Sequence, residues 1–342
     1  MRLSKIILTS LALVSGLQSQ EIPAEIQSRV ISVMPQMDLN SDGEVSMEEI
    51  AETYPSMPAR VQRMLLKRLP QLSEYLESSE VEAAESFKFT RPAGDPADAR
   101  KSGYNSLFIG HSYFVPIVSQ IGSHAYRLGL TDHQQFTVFN GGPSGSPGRL
   151  WSNEKASAPA KELIRTGGVE LLAMTAHYVG SELKDYQKWM DLAIEHNPDT
   201  VFVIQSPWPE KREKTFEEYS QEAQKITSSS SQLIEVLREK YPNSTILRVP
   251  QNEWMLELWK LYEAGDLPEL TELIAADRNE SKSALFRDNH GHGGQLAVQD
   301  GALLWLRVLY GIDLEKYAIQ RMTKFDTRSL AQNIVDNDPT VQ

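Results

Sequence analysis

The run Asp38-Leu39-Asn40-Ser41-Asp42-Gly43-Glu44-Val45-Ser46-Met47-Glu48-Glu49 sets oxygen donors at alternate positions around one glycine. A hard cation such as Ca²⁺ takes six to eight oxygens at about 2.3–2.6 Å, and a short loop delivers them only from such alternate positions. Asp38, Asn40 and Asp42 supply the first three donors, and Gly43 sits where the backbone must turn sharply. Glu44 offers a main-chain carbonyl, Ser46 holds a water, and Glu49 closes the shell with two oxygens. A second set of reactive groups is spread along the chain: Ser112 follows the apolar run Tyr104 to Ile109, and Asp288, His290 and His292 come late. A hydroxyl, an imidazole and a carboxylate that converge provide a nucleophile, a base and the group that orients the base.

The flanks of the first set carry it on helices. Ile26, Val30, Ile31 and Met34 recur at helical spacing before it, and a second helix begins at Met47. Loop and flanks together resemble an EF-hand, which implies one calcium site. The acidic stretch Leu76 to Glu82 lacks the glycine and alternating donors of a second one. Ahead of this module, Arg2 and Lys5 precede the apolar run Ile6 to Val14, with small residues near Ser19. That is the pattern of a secretory leader, expected over residues 1–20. The run is too short to span a bilayer, so no stable membrane span is expected once the leader is removed, and the location expected is secreted or periplasmic. No cysteine occurs, so neither a lipid-attachment thiol nor a disulfide framework is available.

The organisation expected is a helical module over residues 21–90, a linker over 91–101, an α/β domain over 102–320 and a tail over 321–342. In the α/β part, apolar runs at Tyr104–Ile109, Gln135–Phe139, Val169–Met174, Thr200–Ile204 and Ser244–Val249 are separated by helix-length segments such as Tyr186–Ile194 and Thr215–Lys240. Short apolar runs between helices predict parallel strands covered on both faces, a three-layer, flavodoxin-like α/β sheet. Ligand sites in such sheets lie beyond the carboxyl ends of the strands, which is where Ser112 falls.

Ser112 after the first strand, with Asp288 and two histidines before the apolar helix Ala297 to Leu309, resembles the SGNH hydrolases, the GDS-type esterase and lipase family. The resemblance covers about two-thirds of the chain. It implies ester hydrolysis through an acyl-serine, with Ser112 as nucleophile, Asp288 orienting a histidine and Gly142 as an oxyanion donor. His292, next to Gly293 and Gly294 at the start of the last helix, is the expected base, with His290 in reserve. Three positions depart from the family pattern. His111 stands where an aspartate is usual; Met174-Thr175-Ala176-His177-Tyr178 replaces the Gly-x-Asn element, leaving the His177 ring as an oxyanion donor; the histidines lie two and four residues after Asp288, not three.

Other readings share these residues. His111, His177, His290, His292 and Asp288 are five potential ligands for a metal-dependent hydrolase. A catalytically inactive calcium-binding or carbohydrate-interaction module would need none of the chemistry. The Gly141–Gly148 loop resembles a phosphate cradle but lacks the Gly-Lys-Ser/Thr ending, and is expected to line the site instead. Core or rim packing is the expected place of Trp151, Trp208, Trp254 and Trp259, with sugar stacking the alternative, and the segment Glu253 to Ala276 is a candidate roof over the site. Net charge is −12 with no basic block, which opposes a nucleic-acid partner; the substrate that the family resemblance implies is an ester of a small molecule or carbohydrate.

Overall fold

The apolar runs beyond residue 103 assemble into a parallel sheet in the computed structural model, which describes residues 27, 30, 44, 45, 87–177, 181–277, 282–319 and 322–341. The chain divides into two compact units, residues 1–86 and 87–342. In the first, Gln27 and Val30 are helical, Glu44 is exposed and Val45 is buried. The expected leader, and Asp38, Asn40, Asp42, Ser46 and Glu49 of the calcium loop, lie outside the described residues.

In the second unit, strands β1 (Asn105–Gly110), β2 (Gln134–Phe139), β3 (Leu171–Thr175), β4 (Val201–Gln205) and β5 (Ile246–Val249) form one parallel sheet in the order β2-β1-β3-β4-β5. Every residue of β1, β3, β4 and β5 is buried, whereas five of the six in edge strand β2 are only half-buried. Continuous apolar sequence belongs to strands covered on both faces. Alternate side chains feed two separate cores: Phe108, Ala173 and Val203 enter one, and Leu107, Ile109, Leu172, Met174 and Ile204 enter the other. Strand order reverses between β1 and β3, so a crevice opens beyond their carboxyl ends.

The helices are α1 (Pro96–Ser102), α2 (Val115–Val118), α3 (Ile121–Arg127), α4 (Pro147–Ser152), α5 (Glu154–Arg165), α6 (Leu183–His196), α7 (Phe216–Lys240), α8 (Gln251–Ala264), α9 (Gln295–Gln299), α10 (Ala302–Tyr310) and α11 (Thr327–Asp336). Helix α7 begins with a capping box, in which Thr215 and Glu218 each accept from the other's backbone amide. Its two halves serve different cores: Phe216 and Tyr219 join the first, Ile234 and Leu237 the second.

Four segments differ from the sequence expectation. Residues 91–101 are tied down: both terminal nitrogens of Arg91 donate to the Glu170 carboxylate at 2.6 Å, the Gly94 amide adds a third bond at 2.6 Å and Asn105 a fourth at 2.7 Å. Within that stretch Asp95 caps α1. The final helix breaks at Asp300-Gly301 into α9 and α10, and Gly301 packs so closely there that a Cβ would lie 2.3 Å from the Ala297 carbonyl oxygen and 2.6 Å from Gln251 Nε2. Trp254 and Trp259 do not roof the site; both are buried in the first core, and the chain beyond them forms β6 (Glu272–Ile274), parallel to β7 (Ala284–Phe286). Within 321–342, α11 buries Ala331 and Val335, and buried Arg248 pairs with Asp338 and, at 2.5 Å, with Glu253.

Candidate active site

Leaving β1, the chain turns through His111 to Phe114 into α2, with His111 O accepting from the amides of Phe114 and Val115 at 3.0 Å. His111 is buried, and its ring joins two strand ends: Nε2 lies 3.0 Å from Ala176 O after β3, and Nδ1 accepts from the Tyr113 amide at 3.3 Å. Those partners call for the Nε2–H tautomer. Burial pushes its pKa down to about 4, so the ring is neutral at pH 7. His111 is thus a spacer between strands.

Ser112 Oγ stands 2.8 Å from Nε2 of His292, and Nδ1 of His292 is 2.9 Å from both oxygens of Asp288. The His292 amide also donates to Asp288 Oδ1 at 3.3 Å. Nδ1 carries the proton toward the carboxylate, which leaves Nε2 to accept from the serine hydroxyl. Burial is the largest influence on His292 and, with Arg287 and His290 nearby, depresses its pKa against the pull of Asp288, so the ring is a free base at neutral pH. Of the two late histidines, it is His292 whose ring reaches the serine. His290 is exposed, with its ring centroid 6.4 Å from that of His292.

The segment carrying His292 is braced by residues no motif pointed to. Trp208 Nε1 donates to Gly291 O at 2.7 Å, the Tyr113 hydroxyl donates to His290 O, and the Lys211 and Arg212 amides donate to His290 O and Asn289 O at 3.2 and 2.6 Å. Tyr113 and Trp208 stack with centroids 4.7 Å apart and planes 8° apart, and the Tyr113 ring meets His292 edge-on at 5.1 Å. Gly291 adopts φ +97°, and a Cβ there would lie 2.6 Å from the Lys211 amide nitrogen, so the tight approach requires glycine. Opposite it, Arg212 holds φ +38°, an unusual conformation for a side-chain-bearing residue. The available signal was Pro207-Trp208-Pro209 directly beyond β4.

A cavity of about 650 Å³ opens over these groups, lined by Ser112, His292, Gly142, His177 and His290 among others. Gly142, at φ +52°, begins a short 3₁₀ turn after β2. The His177 ring lies 5.3 Å from that of His111, its amide donates to Ser181 Oγ at 2.7 Å, and burial lowers its pKa. Trp208 is buried against Tyr113 and offers no open stacking face, and Trp151 packs edge-on against Trp189. Among the described residues no group of three or more His, Asp or Glu side chains is arranged to hold a metal ion; both His111 nitrogens and both His292 nitrogens are already engaged within the protein.

No protein family model matches the chain, and no curated protein does. Among solved structures it is similar to the periplasmic domain of a lipopolysaccharide acetyltransferase from Salmonella ser. Paratyphi A, at 14% identity and a TM-score of 0.31, over 53% of this chain and 80% of that one.

Proposed function

We propose that the unit from residue 87 onward is a serine ester hydrolase of SGNH-like type acting on an ester of a small molecule or carbohydrate. The observation that carries the reading is the continuous chain Ser112 Oγ, His292 Nε2, His292 Nδ1, Asp288 carboxylate, with its first link at 2.8 Å and its second at 2.9 Å, opening into a cavity. His292 Nε2 takes the proton as Ser112 Oγ bonds to the ester carbonyl carbon, and the carbonyl oxygen becomes an oxyanion. The Ser112 and Gly142 amides and the His177 ring are the proposed donors to that oxyanion; a preorganised donor is worth about 10²–10³ in kcat. His292 then returns its proton to the departing alkoxide as the carbon–oxygen bond breaks. Water repeats the sequence on the acyl-serine and frees the carboxylic acid.

The test is mass spectrometry of the purified protein after a fluorophosphonate, which reports an activated serine without knowledge of the substrate. Labelling at Ser112 that is lost in His292→Ala and kept in His290→Ala is the expected result. A folded protein that does not label overturns the reading. The oxygen-donor loop of Asp38 to Glu49 is proposed as a calcium site on its sequence pattern, and export on that of residues 1–20. Calorimetric titration with Ca²⁺ of the full chain and of Glu49→Gln checks the first.

A further inference from the structure

The cavity continues past the serine along one side of α7. Glu222, Ile226, Ser229, Ser230 and Leu233 all line it, at spacings of three and four that place them on one helical face. Eleven residues of helix rise about 16 Å, so this face is far longer than a reacting carbonyl needs. Its two ends lie by different parts of the site. Glu222 accepts from Lys214 at 2.9 Å, in the loop that braces the His292 segment. Leu233 packs with Tyr186 in the second core, and Tyr186 lies on the element that follows His177 and Ser181.

Hydrolysis fixes which part of the ester goes to which end. The alcohol oxygen must lie where His292 Nε2 can return a proton to it, so the alcohol leaves on the His292 and Glu222 side. The acyl group then extends the other way, past His177 toward Tyr186 and Leu233. Charge in the lining is paired within the protein, Glu210 with Arg212 and Glu222 with Lys214. Toward the far end, the half-buried side chains of Ile226 and Leu233 offer apolar surface. We infer that this far end is an acyl-binding arm, and that the substrate is an ester of an uncharged acyl chain well longer than acetyl. The inference rests on the serine hydrolase reading above. A cavity of this size suits a drug-sized ligand, and an acetyl group alone leaves the arm without apolar contact.

The experiment measures kcat/KM for p-nitrophenyl acetate and p-nitrophenyl octanoate with the full chain, alongside fluorophosphonate labelling of Ser112. One methylene in a fitted apolar pocket is worth about tenfold or more, so octanoate is expected to exceed acetate by at least about tenfold. Leu233→Trp, which fills the arm, is expected to cut the octanoate-to-acetate ratio by about tenfold or more. Ser229→Phe, at an exposed position of the same face, reads the same ratio should tryptophan at 233 prevent folding. Labelling at Ser112 together with equal or better turnover of acetate overturns the acyl arm and leaves the hydrolase reading intact, as does a ratio that neither variant moves. Failure of Ser112 to label in folded protein overturns the hydrolase reading and the arm with it.

Discussion

Glu170 and Asp288 are both buried carboxylates, one leading into β3 at the amino edge of the sheet and the other beside Ser112 at the carboxyl edge. Glu170 accepts four N–H bonds at 2.6–2.7 Å, from Arg91, Gly94 and Asn105, and the proton donors around it are fixed groups that do not titrate near neutrality. Asp288 is bonded by the ring and the amide of His292, a group whose other nitrogen reaches a hydroxyl facing a cavity. The same kind of buried acid therefore fastens a segment at one edge and, on the proposed reading, tunes a base at the other. What separates the two is whether the partner can still exchange a proton.

Several substitutions break or sharpen this contrast. Ser112→Ala is expected to cost the most, lowering kcat on a p-nitrophenyl ester by about 10⁴-fold or more while thermal unfolding is unaltered. Asp288→Asn comes next, at about 10⁴-fold in kcat, because the amide favours the wrong tautomer. Its pH profile adds a sign. The base works as neutral imidazole, so activity rises with pH through a value below the ordinary 6.5 of histidine, since burial depresses His292. Asp288 opposes that depression, so the Asn variant is expected to move the acid limb further down, and an upward shift would contradict the assignment.

Glu170→Ala, at the opposite edge, is expected to reverse the pattern: about 3 kcal/mol of stability is lost in denaturant titration, as one half of a buried pair is left alone, with kcat of the folded enzyme unchanged. His111 offers a proton-linked contrast with His292. Its pKa is about 4 in the fold, so between pH 6.5 and pH 5 the unfolded chain gains a proton the native state does not, and stability falls by about 2 kcal/mol as pH falls. Unfolding midpoints of wild type and His111→Gln across that window check this, the variant showing the flatter dependence. The smallest effect is expected from Trp208→Phe, which keeps the stack on Tyr113 and removes the bond to Gly291 O. Loss of about tenfold in kcat, with KM little changed and Ser112 still labelled, marks the brace as positioning the base.

The sheet was legible because continuous apolar runs have one economical placement in a chain that alternates them with helices. All five strands fall within two residues of the expected runs, and Ser112, Asp288 and His292 come together as the strand-end argument required. The choice of His292 over His290 was not decidable from spacing, since it depends on how Gly291 lets the segment fold back on Lys211. The brace was invisible because its bonds run from Trp208 and Tyr113 to backbone carbonyls, which any residue could supply. Trp254 and Trp259 take the core packing expected of most tryptophans, and only the roof over the site failed: a tryptophan on an amphipathic helix looks alike whether it faces a site or a core, and here α8 turns both inward.

Ser112 and His292 are 180 residues apart in sequence. Bringing two such distant points together costs roughly 4–5 kcal/mol in loop entropy, several times what their hydrogen bond returns. The bond is therefore made only after the intervening strands have closed that distance for other reasons. If Ser112 is the nucleophile proposed above, its activation becomes a late event in folding, silent in partly assembled forms of the chain, and the return of labelling after dilution from denaturant serves as a clock for the last step of assembly.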